Sequence, residues 1–142
     1  MKCGWTVVLL LGSVGMLAAR AGATEAKIDF NRDIRPILSD TCFTCHGPDD
    51  AKRKSGLRLD QQDSAYKVAK SGKIALVPGD VAKSELVRRI TTSDEDDHMP
   101  PADSGKQLSK EQIELLKKWV TQGAAYKGTG RSIRRCDRSC LR

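Results

Sequence analysis

The chain has 142 residues, of which 39% are apolar and 30% charged, with only two Trp, two Tyr and two Phe. This length provides one compact domain and does not favour two. The net charge of +7 lies mostly at the ends, because residues 1–23 carry +2 and residues 131–142 carry +4, which leaves +1 for residues 24–130. A nearly neutral central domain gives no basis for binding nucleic acid or another polyanion.

The N-terminal segment, residues 1–23, has the pattern of an export signal. Lys2 precedes an apolar stretch over residues 5–19, and small residues occupy the positions that a signal peptidase recognises, Ala21 and Ala23. The stretch is short for a membrane-spanning helix, so we prefer cleavage after Ala23 to a permanent anchor. The sequence therefore predicts export to the periplasm or cell surface, with membrane attachment only through an uncleaved signal.

Short helices joined by polar loops are expected for residues 24–127, because strand patterns are nearly absent. Asp29 and Asn31 are the candidate N-caps of the first helix, and Pro36 marks where its regular part can begin. Its apolar face consists of Phe30, Ile34, Ile37 and Leu38. This helix leads directly to Cys42.

The segment Cys42-Phe43-Thr44-Cys45-His46 has the Cys-x-x-Cys-His pattern of covalent haem attachment. Two thiols at this spacing add across the two vinyl groups of haem, and the adjacent imidazole reaches the iron from the same side. We therefore predict one haem c, attached through Cys42 and Cys45, with His46 as the proximal iron ligand. The second ring nitrogen of His46 is expected to donate to a backbone carbonyl near Pro48.

Half of a zinc site and a thioredoxin-type dithiol are the alternatives to haem. A zinc site would need further ligands, yet His98 is the only other His and no third Cys lies between Cys45 and Cys136. A thioredoxin motif would require a βαβ pattern, and the sequence does not have one. Both alternatives fit less well than haem.

The middle of the chain predicts two short helices and three loops. A charged loop over residues 48–55 leads to an extended segment with Leu57 and Leu59, after which Asp60 is the expected N-cap of a helix that continues to Ala69 and ends by Gly72. Further elements follow: a turn over residues 77–80, a helix over residues 83–90 with Leu86, Val87 and Ile90 on its apolar stripe, and an acidic loop over residues 94–97.

Met99 is the favoured sixth iron ligand, because a thioether raises the potential of a haem iron and His/Met ligation serves electron transfer. It follows the polar residues 93–98 and precedes Pro100 and Pro101, so it is not part of an apolar helical stripe. His98 is the rival ligand, and bis-His ligation would lower the potential. An open sixth position would instead permit the binding of small ligands.

The last helix has the clearest start in the sequence. Ser109 and Gln112 form a capping box, while Leu108 and Ile113 occupy the positions of a hydrophobic staple. Gly123 is the expected stop. The apolar face, expected to pack on the first helix, consists of Ile113, Leu116, Trp119 and Val120.

Taken together, residues 28–126 resemble the planctomycete-type cytochrome c domain, which is usually the N-terminal domain of large exported multidomain proteins. The resemblance implies a mostly α, cytochrome c-like bundle of short helices around a covalently bound haem, with Met99 as the distal ligand. The matching segments are Phe30-Asn31-Arg32-Asp33-Ile34-Arg35-Pro36-Ile37-Leu38, Cys42-Phe43-Thr44-Cys45-His46-Gly47-Pro48-Asp49, Gly56-Leu57-Arg58-Leu59-Asp60, Val77-Pro78-Gly79-Asp80, Ser84-Glu85-Leu86-Val87-Arg88-Arg89-Ile90, Met99-Pro100-Pro101 and Trp119-Val120-Thr121-Gln122-Gly123-Ala124.

Residues 128–142 depart from that pattern and are predicted to be a disordered basic tail left by a truncation or frameshift. A disulfide or metal site at Cys136 and Cys140, or an acidic partner for the five Arg, is the alternative.

The functional prediction is an exported mono-haem c-type cytochrome that carries one electron and is not an enzyme by itself. The alternatives are a haem-based sensor and the electron-entry domain of a larger oxidoreductase or hydrolase-like complex. The redox partner is not identified, although residues 52–54 and the acidic loop are candidate contacts.

Overall fold

Helices and loops make up residues 25–127, the part of the chain that the computed structural model describes. Within this range no strand forms, and the only β-type pairing is an antiparallel bridge between Val68 and Ile74. The mostly α fold class is therefore confirmed. The predicted export signal, residues 1–23, and the predicted tail, residues 128–142 with Cys136 and Cys140, lie outside the described residues.

The described helices are short, and most span one or two turns. A π-helical turn, Phe30–Ile34, runs into the first α-helix, and a 3-10 turn, Ala102–Ser104, precedes the last. The α-helices are α1 (Arg35–Thr41), α2 (Phe43–His46), α3 (Gln62–Tyr66), α4 (Glu85–Thr91) and α5 (Lys110–Thr121). No helix among residues 25–127 is long and apolar enough to cross a membrane.

The first helical segment starts and buries its apolar face as predicted. Asp29 is the N-cap, since its Oδ1 accepts from the backbone N–H groups of Asn31 at 2.9 Å and Arg32 at 3.1 Å. Pro36 lies in the first turn of α1, where its missing N–H has no helical partner to lose. The four residues of the predicted face are buried: Phe30, Ile34, Ile37 and Leu38.

An aromatic cluster joins the two ends of the domain. The ring centroids of Phe30 and Trp119 are 5.7 Å apart, and Tyr126 stacks against Phe30 at 4.5 Å. The indole N–H of Trp119 donates to the carbonyl of Ala125 at 3.1 Å, so this buried polar group has a partner. The predicted packing of the last helix on the first is thus confirmed.

The middle helices differ from the prediction in their bounds. The apolar stripe of α4 is buried as expected, although the helix begins at Glu85 rather than at residue 83. Asp60 does not cap α3, because the guanidinium of Arg58 holds its carboxylate at 2.5 Å and 3.1 Å. Helix α3 ends at Tyr66, and Gly72, with φ of 77°, turns a tight loop instead of ending a helix.

The capping box of α5 provides a test of local stability. Ser109 Oγ accepts from the backbone N–H of Gln112 at 3.2 Å, and Gln112 Oε1 accepts from the backbone N–H of Ser109 at 2.8 Å. Ser109→Ala should lower the free energy of unfolding by about 1 kcal/mol, because one N–H of the first turn loses its partner. Urea unfolding of the cofactor-loaded protein measures this, with Ser71→Ala, at an exposed turn residue, as control. Equal effects of the two substitutions would contradict the capping role.

Candidate haem site

The attachment motif lies on α2 and the residue that precedes it. The backbone N–H of Cys42 donates to the carbonyl of Leu38 at 2.8 Å, so α1 positions the start of the motif. The Cys42 carbonyl accepts from the N–H groups of Cys45 at 3.2 Å and His46 at 2.8 Å. This turn places the two cysteines on one side of the helix, with His46 next to them. Both thiols are free of disulfides within the described residues.

The chemistry of this donor set fits haem c. Burial raises the pKa of the Cys42 thiol, and Thr41 Oγ1, 3.3 Å from its Sγ, acts in the opposite direction. Burial lowers the pKa of His46, which favours a neutral ring with a lone pair available for a metal. His46 Nδ1 is buried and has no hydrogen-bond partner among the described residues. Two neighbouring thiols and a neutral imidazole are the groups that covalent haem attachment requires.

The loop after His46 is closed by Arg53. Its Nε donates to the Gly47 carbonyl at 3.0 Å, one of its terminal nitrogens donates to the Pro48 carbonyl at 2.8 Å, and it also pairs with Asp50. The expected bond from His46 to a carbonyl near Pro48 does not form: His46 Nδ1 has no hydrogen-bond partner among the described residues, and the carbonyls of Gly47 and Pro48 accept from Arg53. The side chain of Arg53 is only 16% exposed, so it faces this loop rather than a partner.

Two further contacts restrain the C-terminal end of α2. The backbone N–H of Lys54 donates to the Cys45 carbonyl, and that of Leu59 donates to the His46 carbonyl, both at 2.8 Å. Gly47 is buried between these contacts, and any Cβ at this position would overlap the backbone oxygen of Phe43. The last carbonyls of α2, which have no partner inside the helix, thus accept hydrogen bonds from the loop that follows.

Met99 lies on a separate segment that is attached to α4. It is half-buried, and its backbone N–H donates to the Arg89 carbonyl at 3.0 Å. The positive charge of Arg89 also contributes, after burial, to the lowered pKa of His46. The Met99 segment is thus joined to α4 through the backbone of Arg89.

His98 lines a cleft of about 450 Å³. Its Nδ1 lies 3.3 Å from the Pro100 carbonyl oxygen. None of Cys42, Cys45 and His46 lines this cleft, whose walls include Ile90, Glu95, Lys106, Leu108 and Ile113. His98 thus faces a space that the attachment motif does not border.

Arg53, Arg88 and Arg89 were not among the site residues predicted from the sequence. Glu85, Arg88 and Arg89 have the i, i+3 and i+4 spacing of helical ion pairs, so that part of the network had a recognisable signal. The contacts of Arg53 with Gly47 and Pro48 had none, because they depend on the path of an irregular loop.

Replacement of Arg53 tests the closure of this loop. Arg53→Met should lower the free energy of unfolding by about 2 kcal/mol, because two carbonyls lose charged donors and Gly47 is buried. Urea unfolding of the haem-loaded protein measures the change. The control is Lys52→Met, whose side chain is 69% exposed and should change stability by less than about 0.5 kcal/mol. If the two variants unfold alike, Arg53 does not stabilise the loop.

The Glu85 carboxylate gives a pH-dependent prediction. Its hydrogen bonds with Arg88, and then with Arg89, lower its pKa from 4.5 to about 2. A folded-state pKa below the unfolded one means that the stabilisation is full above about pH 4.5 and is lost as the pH falls towards 2. Glu85→Gln should therefore destabilise the protein at pH 7, and its difference from wild type should shrink below pH 4.5.

Urea unfolding at several pH values measures that difference. Glu114→Gln, which removes an exposed pair with Lys117, is the control and should have little effect at any pH. A Glu85→Gln deficit that stays constant between pH 7 and pH 3 would exclude an ion-pair origin.

Comparison with known proteins agrees with the geometry of the site. The family model described as Planctomycete cytochrome C matches residues 42–103, a range that begins at the first attachment cysteine and includes α3, α4 and Met99. No curated protein and no solved structure matches the chain. The match confirms the resemblance seen in the sequence. The matched family is a cytochrome c family, whose domains use haem for electron transfer. Residues 42–103 belong to a planctomycete-type cytochrome c domain.

Proposed function

We propose that this chain is an exported, mono-haem c-type cytochrome that acts as a one-electron carrier. The observation that carries the proposal is the turn formed by α2 and the residue before it, where two thiols and a half-buried imidazole lie together inside a cytochrome c domain. Cys42 and Cys45 would hold the haem through thioether bonds, and His46 would bind its iron. When bound, the haem supplies one-electron chemistry by alternation between ferrous and ferric iron.

The role of the protein around His46 is to hold a neutral ring in one orientation. Burial disfavours the imidazolium form, so the nitrogen lone pair is not consumed by a proton at neutral pH. The bonds from Cys42 to Leu38 and from Leu59 to His46 restrain both ends of α2. A restrained ligand changes little between two oxidation states of a metal, and this suits a carrier.

Met99 is proposed as the second iron ligand. Its support is the hydrogen bond from the Met99 backbone N–H to the Arg89 carbonyl, which fixes Met99 to α4 within the matched domain. His98, in contrast, lines a cleft that neither Met99 nor the attachment motif borders. A thioether ligand would give the iron a higher potential than bis-His ligation.

Export is proposed from the N-terminal pattern and from the family. Lys2, the apolar stretch and the small residues before position 24 form a signal that a peptidase can remove. This would place the carrier in the periplasm or at the cell surface, with an unidentified protein as its redox partner.

Absorption spectra of protein made in a strain that matures c-type cytochromes test the proposal. The haem should remain with the chain after acid extraction, and the ferric protein should show a Met-to-iron charge-transfer band. Met99→Ala should abolish that band, because the thioether is lost, while the matched substitution of its neighbour, His98→Ala, should retain it.

Several outcomes would contradict this function. Haem that leaves during acid extraction would exclude the attachment through Cys42 and Cys45. A wild type that lacks the band and has a low-spin ferric spectrum, lost in His98→Ala but kept in Met99→Ala, would assign the sixth position to the rival ligand. Carbon monoxide binding to the ferrous wild type without denaturant would favour the sensor over the carrier.

A further inference from the structure

An ion-pair cluster ties the segment before Met99 to α4. Asp97 Oδ2 lies 2.9 Å from a terminal nitrogen of Arg88, and Asp97 Oδ1 lies 3.4 Å from one of Arg89. That nitrogen of Arg89 also donates to the Asp97 backbone carbonyl at 3.4 Å. Asp97 is thus bound through both its side chain and its backbone, two residues before Met99.

Glu85 orients both arginines from the first turn of the same helix. Its carboxylate accepts from Arg88 at 2.6 Å and 2.8 Å and from Arg89 Nε at 2.9 Å. The Glu85 side chain is 14% exposed, so these bonds are better shielded from solvent than those of an exposed surface pair. Each guanidinium is held on one side by Glu85 and presents its other nitrogens to Asp97.

Helix α4 is a firm support for this cluster. The backbone N–H groups of Glu85 and Leu86 donate to the carbonyls of Ile74 and Ala75 at 3.1 Å and 3.0 Å. The apolar side of the helix is buried through Leu86, Val87 and Ile90. The arginines therefore extend from a helix fixed on its other side.

The segment itself has few other restraints near Met99. The backbone N–H of His98 donates to the Asp94 carbonyl at 2.8 Å, which closes a turn within the segment but does not fix that turn to the domain. The bond from Met99 to the Arg89 carbonyl fixes only the end of the segment. The ion pairs of Asp97 supply a second attachment, and two attachments restrict the rotation of the Met99 backbone more than one does.

We propose that Arg88 and Arg89 are positioning residues for Met99, which hold its segment against α4 through Asp97. The proposal rests on the His46/Met99 ligation proposed above. Because the ion pairs already order this segment, little conformational entropy is lost when the thioether binds the iron. The thioether therefore competes better with a free ligand for the same coordination position. Without the ion pairs, the segment would move away from α4 more often and an external base would bind the iron more tightly.

Imidazole titration of the haem-loaded ferric protein tests this role. Asp97→Asn keeps the size of the side chain but removes the charge that both arginines bind, and it should tighten imidazole binding by about tenfold. Asp96→Asn is the matched control, because it removes one charge from an exposed neighbour that has no ion pair within the described residues. That variant should stay within about twofold of wild type.

A double variant separates positioning from the simple loss of one acidic group. Arg88→Met/Arg89→Met should tighten imidazole binding as Asp97→Asn does, although it changes the net charge in the opposite direction. Adding Asp97→Asn to this double variant should then cause no further change, because the three residues act as one unit. Additive effects would show independent roles and would overturn the proposal.

The outcomes also distinguish this proposal from the function on which it rests. A wild-type protein without the Met-to-iron band would reject His/Met ligation, and the positioning role with it. A wild-type protein with the band, combined with equal imidazole affinity in Asp97→Asn and Asp96→Asn, would overturn the positioning role alone. A purely structural ion pair would lower the urea midpoint of Asp97→Asn and leave imidazole affinity at the Asp96→Asn value.

Discussion

Helix α2 has a single turn, Phe43–His46, and the candidate site depends on contacts that hold this turn in place. A helix of four residues is not stable alone, because nucleation costs more than so few bonds return. Contacts at both ends stabilise α2 instead. The Cys42 to Leu38 bond joins its start to α1, and the loop that Arg53 closes covers its end. The orientation of His46 is a property of its neighbours rather than of the motif itself.

Arginine side chains organise the loops of this small domain. Arg53 binds backbone carbonyls beside α2, Arg58 binds Asp60, and Arg88 and Arg89 connect α4 with Asp97. The apolar core lies instead between α5, α4 and the first helical segment, around Trp119 and Phe30. Loops with few apolar residues thus gain fixed shapes from planar, multidentate donors, each of which can bind two acceptors at once.

Patterns of neighbouring residues predicted most of the helices and their caps. Contacts between residues far apart in the sequence could not be predicted. The caps at Asp29 and Ser109 were recognisable, because each involves residues two or three positions apart. Asp60 had the same local signal, but Arg58 competed for its carboxylate and α3 started without that cap. The two thiols and the imidazole of the candidate site were predicted from one short motif. The arrangement around Met99 required the pairing of Asp97 with Arg88, nine positions away across a turn, and no sequence period encodes it.

Tyr126 links distant parts of the described chain. Its ring packs on Phe30, and its hydroxyl donates to the Leu59 carbonyl at 2.9 Å, the residue whose own N–H covers the end of α2. These contacts join the start, middle and end of the described residues, so they are complete only when the last of those residues is in place. A chain that ended before Tyr126 would lose the hydrogen bond to the Leu59 carbonyl, and with it one support of the loop that covers the end of α2.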